Sequence, residues 1–332
     1  MKEYFVSIYN IELERQAVLT TFVSLLWQEG YYSEGTFQLE CVLSDELMDL
    51  FQLEWYCGLT DHDTLMVIKS VQVENGMIVV NGYPATHIFA DRVSTEEVGY
   101  EDAGQIFYDL LNNMTYYPRI EADQFYEYTI GVTFDQTTSD HTLQEYFEKI
   151  AQACDVGFRL YHDKSEQLLH LIVYQPGENE NAKYSTNYGN LGDISYEHSS
   201  VDYKNVAVVA GQGEGDDRVT VFAGDTDAEG ADRREMYVDA RQEQQEEDET
   251  DDEYETRLIE YGEEKLLEQL ETESISFTVD DDDVALGDIV YCHITEIGLD
   301  IQARVTVIEE VYQDNVMQKT LTVGTPIILR RY

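Results

Sequence analysis

The hydrophobic pattern from Tyr4 to about Val93 alternates over short distances and predicts mostly β-strands. The segments QAVLTTFVSLLWQEGYY and GTFQLECVL form two such stretches, with a Ser-Glu-Gly turn between them. TLMVIKSVQVENGMIVVNGY predicts a hairpin around Asn75-Gly76, because this dipeptide favours the two-residue turn that joins antiparallel strands. A helix follows, and its apolar face is formed by Ile106, Phe107, Leu110, Leu111 and Met114.

The middle of the chain changes its hydrophobic period and predicts a small α/β unit. Thr142 and Glu145 have the spacing of a capping box at the start of a helix. The apolar face of that helix is formed by Leu143, Tyr146, Phe147, Ile150 and Cys154. Gly157 is expected to provide the C-cap, and GFRLYHD and QLLHLIVYQPG then predict a pair of strands.

Strands return from Ile194, in ISYEHSS, NVAVVAG and RVTVFAG. Residues 242–255 carry nine acids and no base, and the first half of this run is expected to be a solvated loop. Thr250 and Glu253 have the spacing to cap a helix that follows it. SISFTV, GDIVYCHI, IQARVTVIEEVY and MQKTLTVG predict four closing strands in meander order. The expected fold class is mainly β with an α+β insert.

Net charge narrows the range of partners. The 332 residues include 68 Asp and Glu against 20 Lys and Arg, which gives a formal charge of -48. So acidic a surface repels phosphates, and tight binding to the outside of DNA or RNA, or to an anionic membrane, is not expected. Three explanations stay open: a halophilic cytosol, adaptation for solubility, or a conduit that must not adhere to nucleic acid passing through it.

Cysteine spacing and apolar run length favour a protein made in the cytoplasm. Cys41, Cys57, Cys154 and Cys292 have no C-x-x-C spacing, which favours buried free thiols over a structural zinc site or a redox pair. Neither a signal peptide nor an apolar run long enough to span a bilayer is evident in the sequence.

The stretch VVAGQGEGDDR, residues 208–218, invites comparison with a nucleotide-phosphate loop. Gly211, Gly213 and Gly215 are spaced G-x-G-x-G, and RVTVF after them predicts a strand. A dinucleotide site needs a helix at this point, because the helix N-terminus holds the pyrophosphate. The stretch is therefore interpreted as a flexible hairpin tip, and no cofactor is predicted.

An acidic turn near the C-terminus is the candidate ion site. Several carboxylates at one turn suit a hard cation such as Ca²⁺, and the candidates are Asp280, Asp281, Asp282 and Asp283. They lack the spaced D-x-D-x-D-G pattern, and a solvated turn is the alternative.

Asp61-His62-Asp63 is interpreted as an exposed loop, and His170 in LLHLIV as a strand residue rather than a ligand. No catalytic motif is found.

ERQAVLTTFVSLLWQEGYYSEGTFQLECVL followed by VNGYPATHIFADRV resembles the opening of siphophage and prophage tail hub proteins, which belong with the N-terminal modules of tail-associated lysins. The clearest similarity is YKNVAVVAGQGEGDDRVTVFAG…GADRREMYVDAR, residues 203–241, with YGEEKLLE and LGDIVYC downstream in the expected order. The resemblance covers nearly the whole chain. It implies a structural protein of the virion tail, similar to the baseplate hub of contractile phages.

That resemblance implies two β-barrel tube modules, at residues 1–115 and 196–332, around an α/β insert at residues 116–195. The second module would be interrupted by the acidic loop and helix at about 242–271. Three copies would close a ring that continues the tail tube and docks distal tail or tube proteins and a fibre or tip protein. DNA would be only passing cargo in an acidic conduit.

Four arginines in the most similar segment are interface candidates: Arg218, Arg233, Arg234 and Arg241. A planar guanidinium suits a carboxylate of a neighbouring copy, and ordinary surface pairs are the alternative. Two rival functions stay open, a cell-wall-degrading enzyme that uses a carboxylate pair and a carbohydrate-binding adhesion module. Because no C-terminal peptidase or glycosidase module is expected, lysin activity does not carry over from the resemblance, and a non-enzymatic protein is expected.

Overall fold

The computed structural model describes residues 4–113, 119–122, 129–139, 141–246, 249–267, 269–279, 283–296, 298–313 and 316–324. These residues form two compact units. The first comprises the chain up to Ser195 together with Ile275–Gly324, and the second comprises Tyr196–Ser274. The predicted boundaries at residues 115 and 195 concern tube modules and an insert, which are not the same as these compact units. They stay a prediction.

Four α-helices occur within the described residues: α1 (Asp45–Leu50), α2 (Ala103–Asn113), α3 (Leu143–Cys154) and α4 (Asp251–Leu267). The strands of the first half of the chain are β1 (Val6–Tyr9), β2 (Arg15–Leu19), β3 (Ser24–Gly30), β4 (Phe37–Val42), β5 (Tyr56–Leu59), β6 (Met66–Glu74), β7 (Met77–Pro84), β8 (Val93–Ser94), β9 (Val98–Asp102), β10 (Ile120–Ala122), β11 (Thr133–Thr138), β12 (His141–Thr142), β13 (Gly157–Asp163) and β14 (Leu168–Tyr174). Those that follow are β15 (Glu178–Ser185), β16 (Gly192–Ser199), β17 (Val206–Ala210), β18 (Thr220–Gly224), β19 (Glu235–Asp239), β20 (Thr272–Val279), β21 (Ile289–Ile294), β22 (Leu299–Gln313) and β23 (Val316–Val323). The prediction of a mainly β fold is confirmed.

The capping box at the start of α3 is confirmed, because the side chains of Thr142 and Glu145 each accept from the other's backbone N–H. The predicted glycine C-cap is wrong. Asp155 caps the helix in the left-handed conformation, at φ 54°, which a short polar side chain tolerates. Gly157 instead begins β13, where a Cβ atom would lie only 2.2 Å from the Tyr31 ring.

The main sheet of the first unit has the strand order β16-β20-β23-β22-β3-β4-β7-β6-β5-β1-β2. The β6–β7 turn confirms the hairpin predicted at Asn75-Gly76. Long strand β22 pairs with β21 over Leu299–Arg304 and with β3 over Val307–Gln313. It therefore joins strands from the two ends of the chain.

The predicted meander of the last four strands is wrong in one pairing. β21, β22 and β23 follow one another as predicted, but β20 pairs with β23 rather than with β21. The reason is the occupancy of the sheet edges, since β15 already pairs in parallel with the outer edge of β21. The remaining edge of β23 is then the one that accepts β20.

Three apolar cores hold the first unit together. The largest packs α2 and α3 on β13 and β14, and its members include Phe107, Phe147 and Phe158. A second core lies under β1–β7 around Trp27 and Phe37, and a third lies among β15 and β20–β23 around Phe277. The predicted helix around Ile106 is confirmed up to Asn113, and Met114 of its predicted apolar face lies outside the described residues. The predicted strand pair β13–β14 is also confirmed.

The second unit is a three-stranded sheet, β18-β17-β19, with α4 packed on one face. Tyr254, Leu258 and Leu266 of α4 contact this face, and Gly262 of the same helix is also buried. A Cβ atom on Gly262 would lie 2.5 Å from the Val209 side chain and 2.8 Å from that of Ala223. The glycine therefore sets how closely the helix approaches the sheet.

Replacing Gly262 by leucine is expected to destabilise the second unit by about 2 kcal/mol, because overpacking forces the helix away from the sheet. The measurement is amide hydrogen exchange of β17, which should lose protection. Glu263→Leu is the matched control, since Glu263 is exposed on the same helix and should leave protection of β17 unchanged. Equal protection in both variants would contradict the close-packing role.

Candidate assembly interface

One face of the sheet in the second unit is open to solvent. Val208 on β17 is in register with Phe222 on β18 and with Tyr237 on β19. These side chains point away from α4, because successive residues of a strand alternate between the faces. Phe222 is 49% exposed and Tyr237 is 61% exposed. We call Phe222, Tyr237 and Val208, which lies on the strand between them, the aromatic stripe.

Arg218, the first interface candidate, closes one end of the aromatic stripe. Its guanidinium donates to the Tyr237 hydroxyl at 2.9 Å and to Oδ1 of Asp239 at 2.7 Å. It also donates to the backbone carbonyls of Ala210 and Gly211, at 2.8 and 3.1 Å. The side chain is thus already bound within its own unit.

Arg233 and Arg234 lie on the segment that leads into β19. Arg233 covers the Phe222 ring at 5.7 Å and donates to Oε1 of Glu235 at 2.6 Å. Arg234 lies over the Tyr203 ring at 5.3 Å. Both guanidiniums therefore rest on aromatic rings, which stabilises them without consuming all of their hydrogen-bond donors.

Arg241 is the most exposed of the ion-paired arginine candidates. It binds Asp239 with two parallel hydrogen bonds, of 2.9 and 2.5 Å, and its side chain is 66% exposed. Hydrogen bonds from Arg241 hold the pKa of Asp239 well below its usual range, with Arg218 contributing in the same direction. The structure thus gathers all four candidates in one unit, and a role between subunits stays a prediction.

The glycine stretch joins β17 to β18 as an antiparallel hairpin, which confirms the predicted hairpin tip. Gly213 has φ 97°, a conformation that suits glycine. Gly211 lies against α4, where a Cβ atom would be 2.5 Å from the Tyr254 hydroxyl. That hydroxyl accepts from the backbone N–H of Gln212 at 2.9 Å. The glycines therefore serve close packing and the turn.

The described part of the acidic run is organised by a single arginine. Arg257 on α4 binds Glu249 at 3.0 Å and Glu243 at 2.9 Å, and it donates to the Gln244 carbonyl at 2.9 Å. Reciprocal hydrogen bonds between Thr250 and Glu253 form the predicted capping box at the start of α4. The loop followed by a helix is confirmed for this part of the run.

The candidate ion ligands Asp280, Asp281 and Asp282 lie outside the described residues. The backbone carbonyl of Asp283 accepts from the Asn179 side chain at 3.1 Å. Cation binding at this turn stays a prediction. Among the described helices, none combines the length and the apolarity that a membrane span needs.

The interpretation of Asp61-His62-Asp63 as an exposed loop is wrong for His62. Nε2 of His62 lies 3.0 Å from Oε2 of Glu310, and Nδ1 lies 3.6 Å from Oε2 of Glu29. The Tyr312 hydroxyl donates to the same Glu310 carboxylate, and the Trp27 indole donates to Glu29 at 3.2 Å. We call His62, Glu29 and Glu310 the His62 cluster.

The His62 cluster is charged. Burial alone would lower the pKa of His62, but hydrogen bonds to Glu29 and Glu310 outweigh burial and raise this pKa to about 9. Burial likewise opposes charge on the two carboxylates, and their hydrogen bonds to His62 lower both pKa values. No local sequence pattern indicates this cluster, because its members lie on β3, β22 and the loop after β5.

A second ion pair, in which only the arginine is buried, joins the C-cap of α3 to β22. Arg304 donates to both carboxylate oxygens of Asp155, at 2.7 and 2.5 Å, and to the carbonyl of Pro176 at 2.9 Å. The Arg304 side chain is only 5% exposed and lies 5.2 Å from the centre of the Tyr31 ring. A lone arginine in the apolar strand IQARVTV was a sequence signal for this pair.

The prediction of buried free cysteines is confirmed for all four. Burial raises the pKa of Cys41 to about 11 and the pKa values of Cys154 and Cys292 to about 12. Thiols with such pKa values are protonated at neutral pH and are poor nucleophiles.

The chain matches, over residues 5–325, the family described as Siphovirus ReqiPepy6 Gp37-like protein. It belongs to that family. No curated protein matches it significantly.

Solved structures of phage-related tail proteins share the fold along almost the entire chain. The 43 kDa tail protein of prophage MuSo2 from Shewanella oneidensis superposes with a TM-score of 0.58 at 10% identity, covering 98% of this chain and 99% of its own. A tail protein from Neisseria meningitidis MC58 gives 0.58 at 12% identity, covering 97% and 96%. Prophage tail protein gp18 from Listeria monocytogenes gives 0.53 at 11%, covering 97% and 95%. Family and fold together place the chain among the structural proteins of phage tails, as predicted.

Proposed function

We propose that this protein is the hub of a siphovirus tail, and that three copies form a ring that continues the tail tube. The observation that carries the proposal is the end-to-end similarity of the fold to prophage tail proteins, within a siphovirus family. The ring would dock a distal tail or tube protein on one side and a fibre or tip protein on the other. Its role is structural, with no catalytic step.

Under this proposal residues 1–115 and 196–332 are the tube modules and residues 116–195 are the insert. The charge has a physical function in such a ring. Each of the three copies carries a formal charge of -48. Acids on the wall of the lumen would repel the phosphates of DNA. A wall that attracted phosphates would retain the strand, so the acidic surface favours passage over binding.

The arginine candidates supply the proposed contact between neighbouring copies. Arg241 is well exposed and its Asp239 partner is shared with Arg218, so Arg241 can turn toward an acid of the next subunit without leaving Asp239 unpaired. The aromatic stripe lies on the same sheet and would provide the apolar area of that contact. The charged pairs would then fix how neighbouring subunits align, and the aromatic stripe would contribute the buried apolar area.

The test is the mass of the full chain in solution by light scattering, with negative-stain images of the same fractions. The proposal predicts three times the 38.3 kDa of one chain, and rings with a central hole. Salt of about 0.3 M or more should favour the ring, because it screens repulsion between the acidic copies. A mass of one or two chains at every salt concentration would contradict the ring.

Arg241→Glu is expected to raise the protein concentration needed for assembly at least tenfold, because it places a repelling charge at the proposed contact. Arg15→Glu is the matched control, since Arg15 is an exposed arginine on β2 in the first unit. Sedimentation velocity over a concentration series measures both variants, and circular dichroism checks their folding. Equal weakening by both variants would remove Arg241 from the interface.

A further inference from the structure

Three potential metal ligands meet at the hairpin formed by β13 and β14. Asp163 is the last residue of β13, Glu166 is in the turn, and His170 is on β14 opposite Tyr161. One carboxylate oxygen from each acid and one imidazole nitrogen of His170 all lie within 4.8 Å of one another. The hairpin thus brings together side chains that are three and four residues apart in sequence.

The histidine is the unusual member of this group. His170 is only 8% exposed, and its Nδ1 atom is buried without a hydrogen-bond partner in the part of the chain that the structure describes. A buried imidazole nitrogen that finds no partner costs free energy. Acids at a hairpin turn need no explanation, but an unsatisfied imidazole beside two carboxylates calls for a ligand.

We propose that Asp163, Glu166 and His170 bind a divalent transition-metal ion of the Zn²⁺, Co²⁺ and Mn²⁺ class. An imidazole nitrogen with two carboxylates suits these ions, whereas Ca²⁺ and Mg²⁺ prefer oxygen ligands throughout. Three protein ligands leave at least one coordination position for water or for a group from a partner. This site is independent of the proposed ring.

The geometry allows closure around an ion with small movements. Ligand atoms around a tetrahedral zinc are about 3.4 Å apart, so the three side chains need to approach one another by at most about 1.4 Å. Oδ1 of Asp163 is held by Ser165 and by the backbone N–H of Glu166, at 2.6–3.1 Å, which leaves Oδ2 for the ion. Glu166 is exposed in the turn, so its carboxylate can turn toward His170 at little cost.

The experiment uses the full chain, stripped with a chelator and titrated with Co²⁺ under calorimetry and visible absorption. The expected result is one tight site per chain, with an absorption typical of nitrogen and oxygen ligands. Zn²⁺ should compete for this site, whereas the same concentration of Ca²⁺ should not. Glu166→Gln and Asp163→Asn should each weaken this binding at least tenfold. Both changes keep side-chain size, and an asparagine can still form the turn.

Glu74→Gln is the matched control, because Glu74 is an exposed acid beside the β6–β7 turn and should leave the tight site unchanged. His170→Gln extends the test to the buried ligand, with circular dichroism to check its fold. Weak binding of several ions per chain that is equal in all variants would overturn the proposal. That result would mean diffuse attraction to the acidic surface.

Discussion

Asp155→Asn is expected to lower the free energy of unfolding of the first unit by about 3 kcal/mol, one of the largest effects of a single substitution in this chain. Breaking a buried ion pair from one side leaves the other charge without compensation, which costs about 3–5 kcal/mol. Here the remaining charge is the guanidinium of Arg304, whose side chain is 5% exposed, whereas that of Asp155 is 47% exposed, so we expect the lower end of this range. Asparagine tolerates the left-handed backbone of this C-cap, so the change removes charge and little else.

Urea unfolding followed by tryptophan fluorescence measures this effect, because both tryptophans, Trp27 and Trp55, belong to the first unit. Glu12→Gln is the matched control. It also turns a half-exposed acid that faces an arginine into an amide, but the arginine there, Arg119, is 34% exposed whereas Arg304 is 5% exposed. An exposed pair contributes about 0–1 kcal/mol.

The pairing itself is tested by a double substitution. Arg304→Leu removes the buried charge, so adding Asp155→Asn to that variant should cost less than it does in the natural chain. Equal costs in the two backgrounds would mean that the Asp155 side chain acts through its other contacts, such as the hydrogen bond that it accepts from the Tyr32 hydroxyl, and not through Arg304. A loss no larger than that of Glu12→Gln would contradict the importance of the pair.

Local patterns in the sequence predicted the elements of this fold well. Alternation predicted the strands, Asn75-Gly76 predicted the β6–β7 hairpin, and the capping boxes at Thr142 and Thr250 located the starts of α3 and α4. Each of these signals acts within a few residues of its own position. They fix the type of element and the side of it that is buried, because the hydrophobic period is local.

Pairing between strands that lie far apart in the sequence was beyond such reasoning. Gln28 on β3 donates to Glu309 on β22 across 281 residues, and no local pattern links these strands. The same limit hid the His62 cluster, since an Asp-His-Asp triplet has the composition of a solvated loop. The ion pair of Arg304 could have been predicted in principle, because a buried cation in an apolar strand requires an acidic partner. Its partner Asp155 was concealed by the expectation that Gly157 capped α3.

The His62 cluster should make the folding stability of the first unit depend on pH, in a direction that the pKa shifts determine. The pKa of His62 rises from an ordinary 6.5 to about 9 on folding, so its contribution is complete below pH 6.5 and is lost as pH rises to 9. The shift corresponds to about 3 kcal/mol. The lowered pKa values of Glu29 and Glu310 contribute above pH 4.5 and are lost on acidification. The cluster is therefore strongest between pH 4.5 and 6.5.

His62→Gln is expected to destabilise the first unit by about 3 kcal/mol at pH 6, and by progressively less as pH approaches 9, where the natural histidine also becomes neutral. The measurement is urea unfolding by tryptophan fluorescence at a series of pH values. His198→Gln is the control, because His198 pairs with Glu271 on the exposed surface of the second unit. A difference between His62→Gln and the natural chain that stays constant from pH 6 to 9 would mean that His62 acts by packing. Convergence of the two curves would instead identify the buried charge as what holds β3 and β22 to the loop after β5.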